Sequence, residues 1–456
     1  MSERLLIIQM AKLGDFIQTT PLLANLRRQH DRAEIVMVGE QAAALEAARL
    51  SPLVDTVVKV DGSVNSLEHL GRFHGVFVLN SHLRAVNLAE TVIAENRYGP
   101  CRDEHGIRFT PVQNFLMSLM RLKRDSGRFN LVDVWASLLP DSAPHPLVWP
   151  SPASSNLIPE EAGLKIGFQL GSRNHLRRWP VENFVRLAAD LAELRPERLI
   201  TPVLLGSAEE RTLGSKFERI SQSYGLARPV NLLGRTSLEE LGQAVAGLDL
   251  LVTADTGVMH LAAAVGTPVL ALFFGPAYGP ETGPYGPGHI IYQATAPCGP
   301  CRERGDCRRR QCLEMPAPET AAHLAARMIG PRDPELVNPL LAERPMPAGH
   351  RVWLTGADGF GQTLHPLGRP VLTDDEALIH LITAAGRKFI RPNYKSAVHD
   401  LRKVISGYQV LDKPKVIDGR FLSELAAKGF SGGRQERETF LDTVGNLAQA
   451  LGLKLA

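Results

Sequence analysis

This chain has no surplus of one charge sign. Lys and Arg number 51 against 48 Asp and Glu, a net charge of +3 over 456 residues. No global electrostatic drive toward nucleic acid follows, and no nucleic-acid partner is expected. It also lacks a long apolar run. The most apolar stretch, around Leu261–Phe274, is cut by Gly266 and Pro268 and is too short to cross a bilayer. Membrane contact is thereby limited to peripheral association. Met1-Ser2-Glu3-Arg4 leads straight into a short apolar strand with no secretory leader pattern, so a cytoplasmic location is expected. Repeats and low-complexity tracts are absent. Cysteine is scarce, with four of the five residues falling between 298 and 312. Cys101 stands alone and reads as a small buried or loop residue.

What is present is alternation. Leu5–Met10, Ile35–Val38, Val54–Val60 and Val76–Leu79 are short apolar runs expected as strands, and Phe16–Gln29 and Gln41–Ala48 carry helical spacing. Strands alternating with helices imply a parallel, doubly wound α/β sheet over residues 1–150. A Pro- and Ser-rich linker, Pro150–Asn156, precedes a second unit of the same kind over 157–330. Its strands are Lys165–Gln169, Thr201–Leu205, Val230–Leu232, Leu248–Val252 and Val269–Phe274; its helices are Val181–Leu194, Glu209–Tyr224, Leu238–Ala246 and His260–Val265. Residues 330–349 form a second, proline-rich linker. Residues 350–456 are expected as an additional, mainly helical unit, with a strand at Arg351–Thr355 and helices at Asp375–Ala385, Lys395–Ser406 and Glu436–Leu451. Gly356–Gly361 reads as a turn rather than a dinucleotide fingerprint.

Polar turns after these strands hold the candidate site. In Lys12-Leu13-Gly14-Asp15, the Asp15 carboxylate reads either as a general base toward a substrate hydroxyl or as a cap for the helix that follows. Gly171-Ser172-Arg173 exposes main-chain amides after a strand. Arg177 and Arg178, just before a helix, add charge-assisted bonds suited to a diphosphate; the alternative is a solvated basic turn with Trp179 packing beneath. Asp255-Thr256-Gly257 opens a helix whose unpaired amides suit phosphate. His260, in its first turn, either faces that ligand or packs inside.

Leu13-Gly14-Asp15, the Arg177-Arg178-Trp179-Pro180 segment and Asp255–Pro276 (DTGVMHLAAAVGTPVLALFFGP) together resemble glycosyltransferase family 9, the heptosyltransferases of lipopolysaccharide core assembly. The resemblance covers roughly Arg4–Ile329. It implies a GT-B fold, two Rossmann-like domains facing across a cleft, with the acceptor on the first and the donor on the second. It implies inverting transfer without a catalytic cofactor from a nucleotide sugar, most often ADP-heptose, to a glycan, lipid-linked or protein acceptor. Peripheral attachment at the inner membrane would suit such an acceptor. By motif, Asp15 matches the proposed catalytic base. Gly171, Ser172, Asp255, Thr256, Gly257 and His260 match the donor side. Arg177, with Arg178 beside it, stands where the family usually has a phosphate-binding lysine; the charge is kept and the geometry changes, because arginine forks and lysine is a point charge.

Cys298-x2-Cys301-x5-Cys307-x4-Cys312 suits a structural Zn or Fe ion, because thiolates on short loops can close around one ion. Reduced structural cysteines are the alternative. The interleaved Arg302, Arg304, Arg308, Arg309 and Arg310 make a basic patch. Two competing functions remain at this level: a nucleotide-sugar epimerase on the same scaffold, and a non-catalytic binding module using the Cys- and Arg-rich segment.

Overall fold

The computed structural model describes residues 3–80, 82–103, 106–108, 128–139, 141–150, 156–159, 163–298, 301, 307, 309–329, 349–359 and 361–367, with parts of 379–387, 416–417, 434–450 and 454–455. The helix expected at 395–406, the interiors of both linkers, and Arg302, Arg304 and Arg308 lie outside the described residues.

Chain contacts divide the molecule into two units, the first from Met1 to Val148. Its sheet contains β1 (Arg4–Ile8), β2 (Glu34–Gly39), β3 (Thr56–Lys59), β4 (Arg72–Val78) and β5 (Ile93–Tyr98), in the order β3-β2-β1-β4-β5. Every pairing is parallel. α1 (Leu13–Gln29), α2 (Ala42–Leu50) and α3 (Leu83–Glu90) connect the strands. Leu6, Ile8, Val36, Val38, Val76 and Val78 are buried in one cluster that α3 covers with Ala85, Val86 and Leu88. A β6–β7 hairpin (Cys101–Asp103, Gly106–Arg108) and α4 (Leu131–Ala136) follow. Cys101, read above as buried or in a loop, is exposed on β6.

The start of α1 differs from expectation. The turn read at residues 11–15 is shorter, and the helix begins at Leu13. The cause is local: Asp15 Oδ2 accepts the Lys12 amide at 3.0 Å, satisfying an N–H that precedes the first turn. Asp15 therefore sits inside the helix, not in the loop before it.

The second unit spans Trp149–Gly356 and Thr363–Pro370. Its strands are β8 (Leu164–Gln169), β9 (Ile200–Leu205), β10 (Val230–Asn231), β11 (Leu250–Ala254), β12 (Val269–Phe273), β13 (Ile290–Ala294), β14 (His350–Ala357) and β15 (Gln362–Pro366). The order is β10-β9-β8-β11-β12-β13-β14-β15. Pairing is parallel from β10 to β13, and β14 runs antiparallel to β13. α5 (Val181–Leu194), α6 (Arg211–Ser223), α7 (Leu238–Ala246), α8 (Gly257–Ala264) and α9 (Pro318–Met328) lie along this sequence, and α5 packs against α9. Phe168 stacks edge-on against Phe184 in a core that includes Ile166, Leu204, Val252 and Leu272.

Residues 350–456, expected as an added unit, are divided between the two. β14 and β15 extend the second sheet, while 357–362 and 371–456 group with the first unit. One contact joins these two segments to each other and one joins them to α4. Arg387 Nη1 donates to Asp358 Oδ2 at 2.5 Å, and the Gln362 amide donates to Asp133 Oδ2 at 3.1 Å. Gly356–Gly361 does hold a turn, closed by Asp358 N–H to the Gly361 carbonyl at 2.9 Å. Among the described residues no helix is long and apolar enough to cross a membrane.

Candidate functional site

Each parallel sheet reverses its strand order once, between β1 and β4 in the first unit and between β8 and β11 in the second. In open α/β sheets, ligands bind outside the carboxyl ends of the strands at such a reversal. The candidate residues fall at these two places, and each is described within its own unit.

In the second unit, Arg177 Nη1 donates to Asp255 Oδ2 at 2.6 Å, with the side chains 19% and 10% exposed. The pair joins residues 78 apart in sequence. It forms because β8 and β11 are neighbours, so the turns after them meet. Asn174 Oδ1 caps the single helical turn that carries Arg177 by accepting the Leu176 amide at 2.9 Å. Arg178 is exposed and donates from Nε to the Ser172 carbonyl at 2.5 Å. Thr256 is the N-cap of α8; its hydroxyl accepts the Met259 amide at 3.4 Å and lies 3.1 Å from the Thr253 hydroxyl. Gly257 opens the helix, whose remaining first-turn amides and dipole favour an anion.

His260 is 4% exposed, and its Nδ1 has no hydrogen-bond partner among the described residues. Burial pushes its pKa down to about 4, so the ring is neutral near pH 7. It contributes no positive charge there to an anion site.

Glu210 went unnoticed in the sequence. Its carboxylate accepts the Ser207 amide at 2.9 Å and the Gln169 side-chain amide at 3.3 Å. A Cβ on Gly171 would lie 1.8 Å from Glu210 Oε1. Gly171 is thus small because a carboxylate packs over it. The available signal was Glu210 itself, three residues after Ser207 in a capping box that begins just past β9.

In the first unit, Asp15 is half-buried at the reversal between β1 and β4. Gln9 and Asn80, at the ends of these strands, surround the turn leading to it and were also missed. Both follow apolar runs directly, which is the signal that could have found them.

The clustered cysteines lie between β13 and α9, with Cys312 against Gly275 in the loop after β12. Cys298 is exposed, Cys301 and Cys307 are half-buried, and Cys312 is buried. Burial raises the Cys301 pKa, with Cys298 and Cys307 adding to it. Burial also raises that of Cys312, opposed by the Gly275 amide. Cys307 Sγ accepts the Arg310 amide at 3.4 Å. Among the described residues, no group of three or more His, Cys, Asp or Glu side chains is arranged to hold a metal ion.

Comparison with known proteins gives a consistent picture. The sequence model of glycosyltransferase family 9 (heptosyltransferase) matches residues 154–311. The chain is similar to lipooligosaccharide heptosyltransferase 2 of Haemophilus influenzae, 35% identical over 127 residues, 27% of this chain and 33% of that one. It is also similar to lipopolysaccharide heptosyltransferase 2 of Salmonella typhimurium, 32% identical over 154 residues, 32% of this chain and 42% of that one. These matches span less than half the length of either relative. Among solved structures, a family 9 glycosyl transferase from Veillonella parvula has a TM-score of 0.55 at 19% identity, covering 72% of this chain and 97% of that one. The ADP-heptose lipopolysaccharide heptosyltransferase II of Escherichia coli has a TM-score of 0.52 at 19% identity, covering 72% and 98%. The fold is therefore GT-B, and residues 154–311 match glycosyltransferase family 9 (heptosyltransferase).

Proposed function

We propose that this protein is an inverting glycosyltransferase that moves a heptose from ADP-heptose to a lipopolysaccharide-type acceptor without a catalytic metal. One observation carries the reading: the Arg177–Asp255 pair stands at the β8/β11 reversal, where the Thr256-capped end of α8 begins. That arrangement supports a diphosphate site built from arginine and main-chain amides. Asp15 takes the proton of the acceptor hydroxyl. The oxygen attacks the anomeric carbon opposite the leaving diphosphate. Charge developing on that diphosphate is stabilised by Arg177, Arg178 and the first amides of α8. Asp255 holds Arg177 in place. Peripheral attachment at the inner membrane belongs to the same proposal, since a lipid-borne acceptor is presented there.

The test is Asp15→Asn. Turnover of ADP-heptose with heptose-deficient lipopolysaccharide should fall by about 10²–10⁴, the usual range for removing a general base, while ADP-heptose affinity stays within about twofold. Near wild-type turnover removes Asp15 as the base. Isomerised sugar nucleotide without transfer would instead indicate an epimerase.

A structural Zn or Fe ion at Cys298, Cys301, Cys307 and Cys312 is supported by their spacing and not by the arrangement of their side chains. Elemental analysis of reduced protein decides the point: about one ion per chain sustains it, and a trace counts against it.

A further inference from the structure

The turn leading into α1 has an uncommon hydrogen-bond pattern. Three consecutive amides each donate to a different side chain. Met10 N–H goes to Asn80 Oδ1 at 2.5 Å, Ala11 N–H to Gln9 Oε1 at 3.3 Å and Lys12 N–H to Asp15 Oδ2 at 3.0 Å. The three acceptors are themselves linked. Asn80 Nδ2 donates to the same Gln9 Oε1 at 2.7 Å. Gln9 Nε2 donates to Thr19 Oγ1 at 3.3 Å, and the Thr19 hydroxyl donates to the Asp15 carbonyl at 2.8 Å. Gln9 and Thr19 are 1% and 0% exposed, so this network is anchored inside the first unit.

Two consequences follow. First, the Met10, Ala11 and Lys12 amides are all engaged by side chains of this unit. Second, its course is set from two sides, by β4 through Asn80 and by α1 through Thr19. Met10 is 3% exposed, so its amide must be paired within the protein, and Asn80 is the side chain that pairs it.

We infer that Gln9 and Asn80 are positioning residues: they fix the Met10–Lys12 turn and thereby the place at which the Asp15 carboxylate is held. This rests on the reading of Asp15 as the base, and it names residues that touch neither substrate nor reacting atoms. Buried side-chain networks of this kind act as a unit, so losing one member loosens the others.

The experiment uses the full chain, ADP-heptose as donor and heptose-deficient lipopolysaccharide as acceptor. Asn80→Leu should lower kcat by about 10–100-fold with the ADP-heptose KM within about twofold, because a small misplacement of a reacting group is costly while donor binding is untouched. Asn80→Asp keeps the acceptor for Met10 N–H but loses the donor to Gln9 Oε1, so it should recover only part of that loss. Hydrogen exchange should quicken at Met10 and Ala11 and not in the sheet. If Asn80→Leu does not fold, Asn80→Ser is read in the same way. The inference is overturned if kcat stays within about twofold when Met10 exchanges freely, or if Asn80→Asp does no better than Asn80→Leu. Asp15→Asn, measured alongside, separates the two readings. An inactive Asp15→Asn with an active Asn80→Leu overturns the positioning role alone, whereas an active Asp15→Asn overturns the base and the positioning role together.

Discussion

Arg177 and Asp255 show how much rests on one pair of side chains. Neither is fully buried, so their attraction is screened in part, yet each leaves the other largely desolvated if removed. Arg177→Ala should lower stability by about 1–3 kcal/mol, less than the 3–5 typical of breaking a fully buried pair. It should also weaken ADP-heptose binding; calorimetric titration and chemical denaturation check the two effects separately. Arg177→Lys keeps the charge and loses the fork, so it should restore part of the binding. His260 makes a pH prediction. Its folded pKa of about 4 lies below the ordinary histidine value of 6.5. Above about pH 6.5 the neutral ring costs nothing in protonation; as pH falls toward 4, the unfolded chain takes up a proton that the folded chain refuses, and stability declines. Buried His350, also shifted down, acts in the same sense. Melting temperatures between pH 7.5 and 4 should fall less steeply for His260→Leu than for the wild type. Of these residues, Asp15, Arg177 and Asp255 were legible as polar positions after apolar runs. Their partners were not, because Arg177 meets Asp255 only through the order of strands in the sheet, which the local pattern does not encode.

At the scale of elements, apolar runs located most of the central strands but missed β13, whose short buried run lies in a Gly- and Pro-rich stretch expected as loop, and the polar β5. β5 reads Ile-Ala-Glu-Asn-Arg-Tyr and is the edge of its sheet, with Ile93 57% exposed. An edge strand has one partner and one wet side, so its sequence lacks the run that betrays a central strand. β14 was legible as a strand but not as an antiparallel addition beside β13. Its attachment depends on Tyr292, whose hydroxyl lies 2.8 Å from His350 Nδ1. The Ala317 amide bonds the same phenol oxygen, so the phenol proton goes to the imidazole. One side chain thus joins β13, the start of β14 and the residue before α9. Tyr292→Phe leaves a buried amide and a ring nitrogen unsatisfied and should cost about 1–3 kcal/mol in urea denaturation. Gly275 makes a second element-scale prediction. Its φ is +62, and a Cβ would lie 2.6 Å from the Leu176 carbonyl. Gly275→Ala should move the loop after β12 away from the turn bearing Arg177, lowering ADP-heptose affinity more than Gly266→Ala, where φ is also positive but nothing lies within 4 Å.

Across the whole molecule, the alternation of strands and helices in both units was visible in the sequence, and contacts divide the chain at Val148/Trp149. The last hundred residues were not placed correctly by pattern, since their helical spacing says that they pack and not on what. Arg387 answers part of that question. It is 8% exposed and paired with Asp358, and it also donates to the Gln362 carbonyl. Arg387→Ala should leave the Asp358 carboxylate poorly compensated, at a cost of about 3 kcal/mol. Hydrogen exchange should then rise in β1–β4 and stay unchanged in β8–β12.

A first unit assembled from segments far apart in sequence has a consequence for biosynthesis. A ribosome releases residues 1–148 long before 371–456 exist, so the early sheet must wait for those later contacts. The middle of the chain is complete sooner. Maturation should therefore run against the usual order, in which the amino-terminal domain folds first. Nascent chains stalled near residue 400 should resist protease across β8–β15 while β1–β5 are still being cut.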